Sequence, residues 1–475
     1  MGFLEMLDQW VVHINDYLYA YLMVGLLVVL GIFFSIGTKF VQIRYIPEMF
    51  RVIFEKSTVS AEGKRGISSF QAFTISAASR IGTGNIAGVA TAIAAGGPGA
   101  IFWMWAIALI GAASSFVEST LAQIYKVRDK DGFRGGPAYY MEKGLNKRWM
   151  GIIFAISITL CFGLVFNSVQ SNTISAAMNE SFGISHEIVG LILAVLTAFI
   201  IFGGLKRIVR VTQLLVPVMA VLYLLLAFYV LIVNITEIPA VIALIFKAAF
   251  GVEQVAGGAI GAAIMNGVKR GLFSNEAGMG SAPNAAATAA VSHPVKQGLI
   301  QTLGVFVDTL LICSATAFII LLSGEYLRSD AASINLTQTA LSTHIGEWGS
   351  LFLAVAIFLF AFSSVVGNYY YGETNIEFIK ESSSALFIYR IAVVAMVYFG
   401  AVAKISLVWN LADLFMAIMA FINLIAIAML YKVAMAALKD YRAQRKAGKD
   451  PVFYSSSIGV TNAECWESQP EKNKA

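Results

Sequence analysis

A run of small and polar residues interrupts an apolar segment that is otherwise long enough to cross a lipid bilayer. The segment covers residues 68–94, and its interruption contains Gly82, Thr83, Gly84 and Asn85. Hydrocarbon offers no hydrogen bonds to backbone groups that leave a helix, so a helix can unwind there only where it lines a cavity or a site. A second glycine-dotted run lies far along the chain, at residues 274–283. Interrupted spans of this kind are typical of secondary transporters.

The composition places the chain among multi-span membrane proteins. Of its 475 residues, 58% are hydrophobic and 13% charged, and the mean hydropathy is +0.75. Soluble domains carry about 25% charged residues. The three cysteines, Cys161, Cys313 and Cys465, are too few for a disulfide framework and are expected to be free thiols. The net charge of +5 comes from basic residues between apolar spans and does not indicate nucleic acid as a partner. The first residues predict neither a signal peptide nor a lipid anchor.

Apolar runs of roughly 20 residues, the length that crosses a bilayer, recur along the chain and predict about eleven transmembrane helices. The predicted spans cover residues 17–37, 68–94, 99–125, 150–178, 187–205, 211–234, 268–292, 297–322, 347–376, 386–403 and 407–435. The ambiguous stretch is 236–267, whose Ala-Gly-rich part at 256–263 is interpreted as a short helix packed over an entrance.

The distribution of lysine and arginine predicts the orientation. Basic residues are concentrated after the first, third and fifth spans and in the C-terminal tail, whereas the connections at 179–186 and 323–346 hold almost none. Since basic loops stay in the cytoplasm, the N-terminus is expected outside and the C-terminus inside. Residues 437–475 are then a basic and later polar cytoplasmic tail, predicted to be disordered beyond about residue 450.

The positions of the two interruptions suggest an internal repeat. Residues 1–67 supply an extra N-terminal helix and a basic cytoplasmic loop, which leaves a core of ten spans at 68–436. The interrupted helices open the two groups of five, at 68–234 and 268–436. Because five is odd, the second group enters the membrane from the opposite side, which gives an inverted repeat.

Three motifs resemble those of a known family. The run Gly96-Gly97-Pro98-Gly99-Ala100-Ile101-Phe102-Trp103-Met104-Trp105, the segment at 270–283 and the run Tyr369-Tyr370-Tyr371-Gly372-Glu373 resemble signatures of the alanine or glycine:cation symporter family. The resemblance extends over roughly residues 15 to 440. It implies a leucine-transporter-type 5+5 inverted repeat with one extra N-terminal helix. It also implies sodium- or proton-coupled uptake of a small neutral amino acid, by alternating access across the plasma membrane.

The first interruption can hold the carboxylate of a zwitterionic amino acid. Freed amides at Thr83, Gly84 and Asn85 stand at the start of a half-helix, which carries partial positive charge, and Gly82 is assigned to the same substrate site. Gln170 is a polar group in an apolar span, and its oxygen is a candidate acceptor for the ammonium group. The second interruption is expected to complete the binding site with Gly278, Met279 and Gly280.

A monovalent cation, sodium above all, needs oxygen ligands. The carbonyls of Ala78 and Ile81, before the interruption, and the hydroxyls of Ser363 and Ser364 are the candidates. The family resemblance implies this pairing of the interrupted helix with a later Ser/Thr pair.

Each of these residues also has a purely structural interpretation. Glycines in a span can serve only close helix packing, and Gln170 can be an interhelical hydrogen bond. The hydroxyls of Ser363 and Ser364 can bond to carbonyls one turn back in their own helix.

Charged side chains inside a membrane are functional candidates by default. They are Arg80, Glu118, Asp308, Glu276 and Glu373. Arg80 is expected to pair with one of the acids inside the bundle, in a structural or a coupling role. Lys269 and Arg270 are expected to reach the outer surface with their long side chains.

One residue departs from the family pattern. Asn368 stands just before the Tyr-Tyr-Gly-Glu run, where the family often has a tryptophan. If this position walls the substrate pocket, Asn368 makes the pocket wider and more polar, and glutamine becomes a candidate substrate beside alanine and glycine.

Other function classes find little support in the sequence. A channel needs a continuous pore that is usually built by symmetric subunits. An enzyme needs a nucleophile or a metal-ligand cluster, and neither is apparent. No bound cofactor is expected beyond the transported Na⁺ or H⁺.

Overall fold

The computed structural model describes residues 3–57, 66–129, 132–251, 257–328 and 333–466, which are almost entirely helical. The first helix, α1, is continuous from Phe3 to Gly37 through a π-helical turn at Tyr19–Met23. The next elements are α2 (Val41–Arg44), α3 (Ile46–Ile53), α4 (Ser69–Arg80), α5 (Gly84–Gly96), α6 (Gly99–Ile124), β1 (Val127–Asp129), β2 (Gly132–Arg134) and α7 (Pro137–Lys143). They are followed by α8 (Arg148–Phe182), α9 (His186–Ile201), α10 (Gly204–Val233), α11 (Ile238–Ala249), α12 (Gly257–Asn275) and α13 (Ala282–Ala287). The last are α14 (Pro294–Ser323), α15 (Ser333–Ile345), α16 (Trp348–Ile379), α17 (Ser383–Val402) and α18 (Ile405–Lys446). Strands β1 and β2 form an antiparallel hairpin.

The helices confirm a multi-span membrane protein. Among the described residues, eight helices are long and apolar enough to cross a membrane, and three shorter apolar helices accompany them. Each predicted span coincides with one helix or, at the two interruptions, with a pair of helices. The relation of the two halves by an inverted repeat stays a prediction.

Both predicted interruptions are present. Helix α4 begins with a capping box of Ser68 and Gln71 and ends at Arg80, where Ile81 leaves the helical region with φ −80° and ψ 87°. Helix α12 ends before Glu276, Gly278 and Gly280, which have φ values of 57°, 83° and 85°. Glycine takes this left-handed backbone without strain, whereas Glu276 does so at a cost that its surroundings must offset. We call residues 81–83 the first break and residues 276–281 the second break.

The predicted boundary of the seventh span is wrong. The Ala-Gly-rich stretch at 257–263 does not form a separate short helix but opens α12, and the separate helix in this region is α11. Small residues let α12 lie directly on α6, since a Cβ at Gly267 would come within 2.5 Å of the Ala100 carbonyl oxygen. The same contact pattern recurs at Gly271, whose added Cβ would lie 2.7 Å from Ile107.

The prediction of a disordered tail beyond residue 450 is wrong up to Trp466, the last described residue. The tail folds back on the bundle: the Phe453 amide donates to the Ser292 carbonyl at 2.9 Å, and the Trp466 indole donates to the Gln123 carbonyl at 2.8 Å. The Lys126 ammonium lies 4.8 Å from the centre of the Trp466 ring. Aromatic side chains in a polar stretch are the sequence signal for this docking. We call the end of the bundle that carries these contacts the tail end.

His293 connects the tail end to α14 and α18. Its Nδ1 accepts the Val295 amide at 3.2 Å, and its Nε2 lies 3.2 Å from the Asp440 carboxylate. Because Nδ1 is an acceptor, the neutral ring carries its proton on Nε2 and donates it to Asp440. The ring is buried against Tyr441 and Phe453. Burial lowers the pKa of His293 below its usual range.

This environment predicts a loss of stability on acidification. The native state prefers neutral His293, so its contribution is complete above about pH 6.5, the unfolded pKa, and decreases as the pH falls toward the lower native pKa. We expect the thermal unfolding temperature of the detergent-purified protein to be lower at about pH 5.5 than at about pH 7.5. The corresponding loss in the free energy of unfolding is on the order of 1 kcal/mol. The control is His293→Asn, which keeps an acceptor for the helix N-terminus but does not titrate. An equal loss in both proteins contradicts this assignment.

Candidate functional site

The first break lies where α8 and α16 converge on the chain. A Cβ placed on Gly82 would lie 2.1 Å from the Ser364 hydroxyl oxygen and 2.9 Å from the Gln170 side-chain oxygen. Both neighbours are themselves buried. The break therefore requires glycine at this position, and it brings two predicted site residues into contact with the backbone.

Two backbone amides of the first break are bonded to neutral side-chain oxygens. The Gly82 amide donates to Asn85 Oδ1 at 2.9 Å, and the Thr83 amide donates to Gln170 Oε1 at 3.0 Å. The Thr83 hydroxyl is buried and has no hydrogen-bond partner among the described residues. The predicted role of Gln170 as a free acceptor is thus modified, because its oxygen is engaged by Thr83. A carboxylate is a stronger acceptor than either amide oxygen and can compete for both amides.

Asp308 on α14 faces the same break. Its carboxylate accepts from Asn85 Nδ2 at 2.6 Å, from the Ser274 hydroxyl at 2.9 Å and from the Thr309 hydroxyl at 2.8 Å. Hydrogen bonds of this kind make a buried carboxylate tolerable. The sequence marks Asp308 only as an intramembrane charge, since nothing in it indicates that α14 crosses the bundle beside Asn85.

The predicted cation ligands come together in part. The Ser364 hydroxyl donates to the Ala78 carbonyl at 2.8 Å and lies 3.1 Å from the Phe360 carbonyl. The Ser363 hydroxyl donates to the Phe360 carbonyl at 2.8 Å and lies 3.7 Å from the Met219 sulfur on α10. Both serines therefore also make the bond one turn back that their structural interpretation requires. The sequence-based set of cation ligands does not include the Phe360 carbonyl, because the position of a backbone oxygen cannot be read from the residue type.

The second break is held by a carboxylate of the protein itself. Glu118 on α6 accepts the Gly278 amide at 3.1 Å through Oε1 and the Gly280 amide at 3.0 Å through Oε2. Asn423 Nδ2 donates to Glu118 at 2.8 Å and to the Gly278 carbonyl at 2.9 Å. Met279 between them is fully buried. Both glycine amides are thus engaged by Glu118 in this structure, and substrate binding by Gly278, Met279 and Gly280 stays a prediction.

The surroundings of Asn368 are polar, and its role as a wall of the substrate pocket stays a prediction. Asn368 is fully buried on α16, one turn beyond Ser364, and its Oδ1 lies 2.6 Å from the Ser79 hydroxyl. The same hydroxyl lies 2.7 Å from Glu276 Oε1 in the second break. Asn368 thus belongs to a buried polar cluster between the two breaks.

Arg80 has no ion pair within 4 Å in the part of the chain that the structure describes. Its Nη1 donates to the Gln301 carbonyl at 3.2 Å, and Gly304 leaves room for the guanidinium, since a Cβ there would lie 2.3 Å from Nη1. The predicted direct pairing with an acid is therefore not formed. The guanidinium instead acts at longer range on Glu118, Glu276 and Asp308.

A cavity of about 760 Å³ opens at the end of the bundle opposite the tail end. Arg270 and Asp413 form a buried ion pair at its lining, which makes the expectation that Arg270 reaches the surface wrong. The Arg270 guanidinium lies 4.7 Å from the Trp409 ring. The Trp409 ring is tilted against the Phe273 ring, with 4.8 Å between the ring centres, and Phe273 lies against Gly84. Aromatic rings therefore separate this cavity from the first break.

Comparison with known proteins identifies the family. Residues 4–455 match the sodium:alanine symporter family. The amino-acid carrier protein AlsT of Bacillus subtilis (strain 168) is 62% identical over 96% of this chain and 97% of its own length. The probable sodium/glutamine symporter GlnT of the same organism is 60% identical over 97% of this chain and 96% of its own length.

A more distant relative and a solved structure extend the comparison. The sodium/alanine symporter AgcS of Methanococcus maripaludis is 39% identical over 91% of this chain and 97% of its own length. A crystal structure of a manganese transporter mutant from Eremococcus coleocola shares the fold, with a TM-score of 0.53 at 14% identity over 85% of this chain and 95% of that chain. The interrupted helices, the buried oxygen ligands and these matches lead to one conclusion: the chain belongs to the sodium:alanine symporter family.

Proposed function

We propose that this protein is a symporter that couples the inward movement of sodium to the uptake of a small neutral amino acid, alanine, glycine or glutamine, by alternating access. The observation that carries the proposal is the adjacency of two kinds of group where the last turn of α4 meets the first break. Thr83 offers a backbone amide held only by a neutral oxygen, and Ala78 offers a carbonyl beside the Ser364 hydroxyl. An anion and a cation can therefore bind within one turn of each other.

The substrate carboxylate takes the amides of Gly82 and Thr83 in this mechanism. It displaces Asn85 Oδ1 and Gln170 Oε1, the neutral acceptors that occupy them. The partial positive charge at the N-terminus of α5 favours the exchange. Displacement frees the Gln170 oxygen, which can then accept a hydrogen bond from the substrate ammonium.

Sodium binds to oxygens of the same segment and of α16. The ligands are the carbonyls of Ala78 and Ile81 and the hydroxyls of Ser363 and Ser364, joined by the Phe360 carbonyl. Five oxygens without full charge suit a hard monovalent cation. Because each ligand orders the segment that the other needs, binding of one raises the affinity for the other, which is the thermodynamic basis of coupling.

The tail end faces the cytoplasm in this proposal, and the N-terminus lies outside the cell. Support comes from the excess of lysine and arginine in the connections at that end. The 760 Å³ cavity is then the outer vestibule. A second cleft of 610 Å³, whose lining includes Gln71 and Gln213, opens on the inner side. The inverted repeat accounts for two breaks at corresponding positions. The proposal includes no catalytic residue, resident metal or cofactor.

Uptake into proteoliposomes tests the function directly. We expect radiolabelled alanine to accumulate above equilibrium when an inward sodium gradient is imposed, and the accumulation to collapse when potassium replaces sodium or an ionophore removes the gradient. Excess unlabelled glutamine is expected to inhibit this uptake, as the similarity to a probable sodium/glutamine symporter suggests. Alanine flux that does not change with the sodium or the proton gradient contradicts symport. A lack of inhibition by glutamine contradicts glutamine as a further substrate.

A pair of glycine variants tests the first break. In Gly82→Ala the new methyl group would clash with Ser364 and Gln170, so we expect uptake to fall to background. The matched control is Gly88→Ala, six residues further along the chain in α5, where the nearest atoms lie 3.8 Å from the added Cβ, an ordinary contact. The control should keep most of the uptake at an unchanged thermal unfolding temperature. If both variants lose uptake equally, this part of the chain does not tolerate an added methyl group at any glycine, and the result does not support a binding site at Gly82.

The two neighbouring serines allow a second comparison. Ser364→Ala removes the hydroxyl that already contacts the Ala78 carbonyl, so the sodium concentration for half-maximal uptake should rise about tenfold, the effect of a loss of about 1.4 kcal/mol. Ser363→Ala removes a hydroxyl turned toward α10 and should have a smaller effect. The measurement is the initial rate of alanine uptake against sodium concentration. The reverse order contradicts the proposed geometry of the sodium site.

A further inference from the structure

Three oxygen atoms from three separate segments meet on the tail-end side of the first break. They are the Ser79 hydroxyl in the last turn of α4, Glu276 Oε1 in the second break and Asn368 Oδ1 on α16. Ser79 Oγ lies 2.7 Å from the glutamate oxygen and 2.6 Å from the asparagine oxygen. The three side chains are 5%, 1% and 0% exposed, respectively.

Protein groups alone do not satisfy this cluster. A serine hydroxyl has one proton and can donate it to only one of two acceptors. The Asn368 Nδ2 group is buried without a partner among the described residues. Rotating the amide by 180° lets nitrogen donate to Ser79 but leaves the Asn368 oxygen buried without a donor. Because the Ser79 proton serves only one of the Glu276 and Asn368 oxygens, the other oxygen faces Ser79 Oγ with no proton between them, and a cation among the three oxygens removes that repulsion.

Two further groups act on this cluster. The Tyr371 hydroxyl is also buried, and it interacts with Ser79 and Glu276. Arg80 acts on Glu276 electrostatically but forms no ion pair with it. An oxygen-rich pocket with one carboxylate favours a hard cation, which accepts several oxygen ligands at once.

We propose that Ser79, Glu276 and Asn368 form a second sodium site of this protein. The inference rests on the proposed sodium-coupled symport and deepens it. Coordination lets the hydroxyl, carboxylate and amide oxygens share one cation and removes the conflict over the single serine proton. The Tyr371 hydroxyl is available as a fourth ligand.

The position of the site suggests its role. Ser79 directly follows Ala78, and Asn368 lies one turn beyond Ser364 on α16, so both residues neighbour ligands of the first sodium site. Helix α16 runs toward the tail end, where the Arg134 guanidinium near its last turn pairs with Glu377. A sodium ion that leaves the first site in this direction reaches the second one a helical turn later. The second site is therefore a station on the inward exit route.

The site depends on the side-chain oxygen of Asn368, which an apolar residue at this position would not supply. The function of Asn368 is then sodium binding rather than shaping of the substrate pocket, and the size of the amino acid that enters is decided elsewhere.

Equilibrium binding of radioactive sodium to the purified protein tests the proposal. We expect Asn368→Leu, which matches the size of asparagine without its oxygen, to bind one sodium ion fewer per molecule than the unmodified protein at saturation. Ser79→Ala should weaken the second binding step about tenfold, whereas Ser76→Ala, whose hydroxyl bonds to Phe73 in its own helix, should leave binding unchanged. Thermal unfolding temperatures verify that each variant is folded.

If Asn368→Leu does not fold, a second variant that is expected to bind sodium more tightly still tests the proposal. Asn368→Asp adds a second carboxylate and should tighten the weaker sodium site severalfold at alkaline pH. Unchanged sodium stoichiometry in Asn368→Leu together with unchanged affinity in Asn368→Asp overturns the proposal. The proposal is also wrong if Asn368→Leu keeps every sodium ion and loses only the pH dependence of uptake, because the cluster then binds a proton. Absence of sodium binding in the unmodified protein refutes the proposed symport itself, which is a different outcome.

Discussion

The requirement that every backbone amide freed inside a membrane find an acceptor governs this structure. Lipid cannot supply that acceptor, and an orphaned amide there costs several kcal/mol. Each of the two breaks therefore exists only because side chains from other helices converge on it. At the first break these are Asn85 and Gln170, and at the second break it is Glu118.

The two breaks meet this requirement in different ways, and the difference separates binding from support. Neutral amide oxygens hold the first break loosely enough that a carboxylate can replace them. A full negative charge holds the second break through two bonds, and Asn423 fixes that charge in turn. In the proposed mechanism the first break exchanges these partners for an amino acid, while the second break, bonded to a charged group, keeps its partners. Alternating access needs both properties, since a site without a fixed wall cannot transmit a change of binding to the rest of the bundle.

The membrane class, the spans and both interruptions could be predicted from the sequence because they follow from composition and from the chemistry of single segments. Gly82 is a clear case, because a glycine beside Thr83 and Asn85 within an apolar span weakens the helix whatever packs around it. Errors arose where the outcome depended on distant partners. The stretch at 257–263 resembled a separate helix, but it opens α12, whose glycines Gly267 and Gly271 lie directly against Ala100 and Ile107 of α6. The tail was predicted to be disordered because the binding surface for Phe453 and Trp466 comes from residues more than a hundred positions away.

The sequence by itself determined that this chain crosses the membrane many times, that two spans break, and that polar groups suited to a zwitterion and a cation stand near the first break. Those properties reside in local composition and in hydrogen-bonding capacity, which are independent of the neighbours. Only the tertiary structure decided which oxygens meet. It paired the amides of Gly278 and Gly280 with Glu118, brought Asn368 within hydrogen-bond distance of Ser79, and placed Asp308 beside Asn85. Hydrogen bonds and coordination operate over about 3 Å, and the helices that supply these atoms are far apart in the chain, so their pairing is a property of packing.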